Sequence, residues 1–129
     1  MFWDIITATL ASIVLGFSWY GPWFGKKWMK YMKITQKQMK AAQKKGMPAS
    51  SYFWMILSAL IPAIVFSVFA PETALAAIGK ALLIWIGFFV PVQIGSVNWE
   101  GRPWGFFFLN VGYHLVNLVI MALIFAGFN

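Results

Sequence analysis

Apolar residues fall in four long runs, Phe2 to Trp23, Tyr52 to Ala70, Ala81 to Trp99 and Trp104 to Phe128, separated by polar or glycine- and proline-containing breaks. As helices rising about 1.5 Å per residue, all four are long enough to cross a hydrocarbon core roughly 30 Å thick. The pattern predicts an all-α, polytopic membrane protein with four transmembrane helices in one domain spanning residues 1–129. The break at residues 24–51 is too long to be a mere connection. Thr35 and Gln38 have capping-box spacing, which satisfies two orphaned backbone donors at a helix start. Gly46 followed by Pro48 is a matching stop. A short amphipathic helix is therefore expected over Gln36 to Lys45. Trp28, Met32 and Met39 fall roughly on one face with lysines elsewhere, which suits a segment lying among lipid headgroups.

Composition confirms the compartment. The chain is 61% hydrophobic and only 10% charged, whereas a soluble protein carries about a quarter charged residues; no second, soluble domain fits beside the four runs. The first run lacks the basic opening of a secretory signal, Asp4 being its only charge, and is expected to be retained. The absence of cysteine excludes disulfides, thiolate catalysis and thiolate metal sites.

Charge sets an expected orientation. Lys26, Lys27, Lys30, Lys33, Lys37, Lys40, Lys44 and Lys45 lie between the first two runs with no acid among them, and Arg102 lies between the last two. By the positive-inside rule both loops are expected on the cytoplasmic side of the cell inner membrane. Asp4, Glu72 and Lys80 then belong to the periplasmic side with both termini. The expected partner of the lysines, Lys37, Lys40 and Lys44 foremost, is anionic lipid, each adding about 1 kcal/mol near such a surface. Topology already accounts for the charge asymmetry, so no nucleic-acid partner is expected.

Ala8, Ser12 and Gly16 in the first run, and Ala59, Ala63 and Ser67 in the second, form small faces that let helices approach closely. They also permit self-association, and a homo-oligomer is expected. Pro62 and Pro91 interrupt the second and third runs near mid-membrane, each removing a backbone donor and crowding the carbonyl four residues back. Two readings stand: ordinary kinks that adapt packing, or kinks that open a polar cavity of the kind interrupted helices form in transporters. "WYGPWFG" at residues 19–25 is echoed by "WEGRPWGF" at residues 99–106, either from a duplicated helix pair or from shared interfacial chemistry.

The candidate chemistry lies in the fourth run. Asn110, His114 and Asn117 share one helix face through separations of four and three, and His114 is expected about 15 Å into the membrane. Gln93 in the third run is positioned to meet Asn110 across an antiparallel pair. Polar groups without partners in hydrocarbon cost several kcal/mol each, so this line must face protein or water. An intramembrane histidine marks a functional site, but a neutral imidazole hydrogen-bonded between helices satisfies the same constraints. Glu100 and Arg102 sit two residues apart in a turn, either as a local interfacial pair of about 0 to 1 kcal/mol or as a cytoplasmic mouth with an anion contact. No carboxylate accompanies the histidine, and no phosphate loop, metal-ligand cluster or nucleophile motif occurs. Neither an enzyme nor a cofactor or metal is expected.

"LGFSWYGPWFGKKWM", residues 15–29, together with "NWEGRPWGFFFLNVGYHLVNLVIMALI", residues 98–124, resembles a family of small bacterial integral membrane proteins catalogued as domain of unknown function 1761. The resemblance implies a four-helix membrane protein and brings no activity or catalytic residues with it. The expected function is an oligomeric channel or transporter-like protein passing a small solute or ion along Asn110, His114, Asn117 and Gln93. The alternative is a non-transport protein that binds anionic lipid or partner proteins through its lysine-rich loop.

Overall fold

A computed structural model describes residues 2–46, 48–69 and 73–128, apart from the side chain of Phe128. Ala70 and Glu72, placed above at the end of the second run and on the periplasmic side, lie outside the described residues. Among the described residues the regular structure is helical, and four helical spans are long and apolar enough to cross a membrane: Phe2–Trp23, Ala49–Phe69, Ala74–Asn98 and Trp104–Gly127. The chain is a multi-pass membrane protein.

The first span consists of α1 (Phe2–Ser18) and a widened, π-helical turn (Trp19–Trp23) that leads to α2 (Gly25–Met32). Gly21-Pro22 causes the turn, because proline donates no amide and disfavours helical geometry in the residue before it. Gly21 leaves the helix at φ −106° and ψ −107°, and the Phe24 amide spans the turn to the Trp19 carbonyl at 2.9 Å. Lys33 ends α2 in the left-handed region. The expected capping box then starts α3 (Gln36–Lys45): Thr35 Oγ1 accepts from the Gln38 amide at 3.1 Å, and Gln38 Oε1 accepts from the Thr35 amide at 2.9 Å. Gly46 closes it at φ 79°.

The second span, α4 (Ala49–Phe69), runs as one α-helix through Pro62. The third is split into α5 (Ala74–Ile84), a π-helical turn (Trp85–Phe89) and α6 (Val90–Asn98). Pro91 falls at the start of α6, where its missing amide is least costly, and the widened turn before it makes room for the ring. Helix α5 begins earlier than the hydrophobic run because Thr73 caps it, accepting from the Ala76 amide at 3.1 Å. Lys80, expected in the outer connection, therefore lies within the helix. Its flexible stem carries the ammonium to the Phe69 carbonyl at the end of α4, 3.0 Å away. The fourth span is α7 (Trp104–Phe128).

Helices α1 and α7 pack together at the centre, α4 lies on α1 and touches α7, and α5 and α6 lie on α7. Among the described residues α4 has no close packing with α5 or α6. The buried core occupies the half of the bundle away from the lysine-rich segment, where Ala8, Ala63, Ala77, Ala81 and Ala122 bring the helices close around Phe66, Met121 and Phe125. In lipid such helices are held by van der Waals fit rather than by transfer from water. Ala8, Ser12, Ala59 and Ala63 are all buried within one subunit. These four are thus spent on helix contacts within the chain, while Gly16 and Ser67 are half-buried.

Candidate functional site

The half of the bundle nearer the lysines is built differently. Here α1, α4, α7 and the Trp85–Phe89 turn surround an open cavity of about 390 Å³. His114 and Asn117 reach it from α7, one helical turn apart. Ser12 and Gly16 line it from α1, Ser58, Ala59 and Pro62 from α4, and Phe89 from the third span. Counting from Trp104, His114 lies about 15 Å along α7, near mid-membrane. The proline in α4 is on the cavity wall, and the widened turn that precedes Pro91 delivers Phe89 to the His114 ring at a centroid distance of 4.7 Å.

Each member of the polar line has a different environment. Asn110 is not on the cavity wall: its Oδ1 accepts a 2.6 Å hydrogen bond from the Tyr20 hydroxyl. His114 is half-buried between Phe89 and Tyr113, whose ring is 5.2 Å away. Asn117 is 7% exposed, and its Oδ1 is buried without a hydrogen-bond partner. Such an orphaned acceptor costs about 1 to 3 kcal/mol relative to a satisfied one. Gln93 is half-buried, and no hydrogen bond joins its side chain to Asn110; the widened turn upstream adds a residue and rotates the following face by about 100°.

Tryptophan supplies a framework that the sequence reading did not contain. Trp19 Nε1 donates to the Leu109 carbonyl at 3.1 Å, and Trp85 Nε1 donates to the Val111 carbonyl at 2.7 Å. Each opens one of the two π-helical turns, and together they fix the first and third spans to α7 on either side of Asn110. The shared signal was Trp-x-Gly ahead of a proline, at residues 19–22 and 85–91. Tyr20 also packs on Tyr113 at 5.3 Å and on Trp28 at 6.3 Å, closing the cavity toward the lysine-rich segment. The Tyr113 hydroxyl lies near Ser12 and over Gly16, where an added Cβ would approach it to 3.3 Å.

Glu100 and Arg102 form no ion pair. Glu100 is exposed, and the Arg102 guanidinium lies 5.6 Å from the Phe106 ring centroid, a cation–π contact. The two echoed motifs also differ in backbone: Gly21 breaks a helix internally, whereas Gly101 turns the chain between α6 and α7 at φ 69°. Helix α2 is anchored by Met29, which is buried, and by Tyr31, whose ring occupies the space a Cβ on Gly105 would need. Trp28, Met32 and Met39 are only half-buried. The eight lysines of the segment are all exposed. Among the described residues no three His, Asp or Glu side chains converge as metal ligands would.

The family described as a protein of unknown function, DUF1761, matches residues 3–126. The chain belongs to the DUF1761 family. No curated protein and no solved structure matches it. In this DUF1761 protein the family motifs both brace the helices and line the cavity: Trp19 and Tyr20 hold Leu109 and Asn110, while His114, four residues further on, is on the cavity wall.

Proposed function

We propose that this DUF1761 protein is a transporter-like membrane protein that holds a small solute in the cavity within each subunit. The observation that carries the proposal is Asn117, which lines the cavity at mid-membrane between interrupted helices and whose buried Oδ1 has no hydrogen-bond partner. A polar group that serves only packing is normally satisfied by a neighbouring helix, as Asn110 is by Tyr20. The position of His114 and Asn117 inside one subunit favours this site over a channel along an axis between copies. No carboxylate lines the cavity beside His114, so no catalytic role is assigned.

The chain has no native cysteine, which makes the test direct. Maleimides react with the thiolate, and a thiol ionises only where water reaches it. N-ethylmaleimide should label Ser58→Cys and Asn117→Cys in proteoliposomes and leave Leu83→Cys, on the 70%-exposed outer face of α5, unmodified. Cavity thiols as inert as Leu83→Cys would overturn the reading.

A second role rests on the lysines. All eight are exposed on or beside α2 and α3, and α2 is pinned to the bundle by its opposite face, so we propose that they bind anionic lipid at the cytoplasmic surface. Replacing Lys37, Lys40 and Lys44 with glutamine should remove enrichment of phosphatidylglycerol around the protein, with the fold unchanged. Enrichment that survives high salt in the native chain counts against this role.

A further inference from the structure

We infer that the occupant of the cavity is an uncharged amphiphile with a hydroxyl-class head, and that it reaches His114 and Asn117 sideways from the bilayer between α4 and the Trp85–Phe89 turn. This rests on the reading of the cavity as a binding site and adds the chemistry of the ligand and its route.

The chemistry follows from which polar groups remain unused. The Tyr20 hydroxyl is spent on Asn110 and the Ser58 hydroxyl donates to the Met55 carbonyl at 2.8 Å, whereas the Tyr113 hydroxyl only lies near Ser12. What is left is the amide of Asn117, with its buried, unpartnered Oδ1 and its NH2 donor, the imidazole of His114, which in neutral form offers one donor and one acceptor, and the Ser12 and Tyr113 hydroxyls beside them. A hydroxyl both donates and accepts, so it can engage the Asn117 amide and His114 together. No Lys, Arg, Asp or Glu lines the cavity to balance a charge, and an unpaired ion at this depth is costly. The rest of the wall is largely apolar and aromatic, as a small hydrophobic tail requires.

The route follows from which sides are closed. Toward the termini the cavity ends on Leu118, itself part of the core with Ala63 and Phe66. Toward the lysines it ends on the Tyr20–Asn110 bond and the Tyr20–Tyr113 contact. A side left open lies between α4 and the third span, which are not closely packed, and there Ser58 is both a wall residue and exposed, as Phe17 is on α1. That side faces lipid.

The test uses the full chain in lipid nanodiscs and three photoreactive probes: a diazirine-bearing octanol, the matching octanoate at pH 8, and the matching octane without a head. Adducts are located by peptide mass spectrometry. The octanol should label Ser58 and Tyr113 about tenfold more than the octane does, the factor expected of one net hydrogen bond, and excess unlabelled octanol should compete. Asn117→Leu should abolish that preference. Ser58→Phe, which fills the side opening at an exposed position, should reduce cavity labelling with unchanged thermal unfolding. Equal labelling by octane or octanoate, or a preference that survives Asn117→Leu, would overturn the inference. If N-ethylmaleimide reaches the cavity thiols but octanol does not label the wall, the amphiphile is wrong and the solute site stands; if neither reaches, both fall.

Discussion

The two halves of this bundle use the same four spans in opposite ways. Away from the lysines, alanines at Ala8, Ala63, Ala77, Ala81 and Ala122 draw the helices together until Phe66, Met121 and Phe125 are almost wholly buried. Nearer the lysines, a proline in α4 and two widened turns keep the helices from closing, and α4 does not seal against the third span. In the first half α1, α5 and α7 are closely packed around a largely apolar core. In the second, a cavity of about 390 Å³ remains with a buried amide oxygen unanswered. The difference teaches that the opening is not loose packing throughout a small protein, because the same helices pack tightly one or two turns away.

Substitutions can break this contrast. The largest effect is expected from Phe125→Ala in the packed half, a loss of about 2 to 3 kcal/mol: the 3 to 5 kcal/mol typical of water-soluble cores, less the transfer contribution that lipid removes. Reversible unfolding in mixed micelles measures it. A matched pair on α4 sharpens the comparison. Ala63→Leu, with no space around it, should destabilise by about 1 to 3 kcal/mol, whereas Ala59→Leu, four residues away on the cavity wall, should cost less than about 0.5 kcal/mol. Equal costs in the same unfolding experiment would mean that the cavity closes in lipid.

Asn117→Leu should act in the opposite direction and raise stability by about 1 kcal/mol, because it removes an orphaned acceptor while nearly conserving volume. A loss of stability would show that Asn117 has a protein partner. The smallest change is expected for Tyr20→Phe, about 0.6 kcal/mol, the usual value of an interhelical hydrogen bond in a membrane. Its sharper consequence is local: faster maleimide labelling of Asn117→Cys as the cavity loosens at its lysine-rich end.

Much of this was legible in sequence because it depends on local rules. Hydrophobic length gave the four spans, the Thr35–Gln38 spacing gave the cap of α3, and helical periodicity put His114 and Asn117 on one face. Other readings failed where a local rule met a distant partner. Lys80 looked like a loop residue until Thr73 extended α5 beneath it and the Phe69 carbonyl gave its ammonium an acceptor. Gln93 looked like the partner of Asn110, but the widened turn before Pro91 changed the phase of its face, and Tyr20 took the position. Trp19, in the echoed motif that shared interfacial chemistry would explain, instead donates across the bundle to a carbonyl of α7.

By itself the sequence determined that the chain crosses a membrane, where its charge collects, and that Asn110, His114 and Asn117 must avoid lipid, since each of these depends on the cost of placing a residue in hydrocarbon or on spacing along one helix. Only the tertiary structure decided which of the three would be satisfied. Spacing fixes which side chains share a face, but the neighbour of that face depends on how four helices are arranged and on turns that rotate everything after them. Asn110 meets Tyr20 because the Gly21-Pro22 turn brings that hydroxyl to α7. Asn117, two turns further along the same helix, meets the space that α4 and the third span leave open.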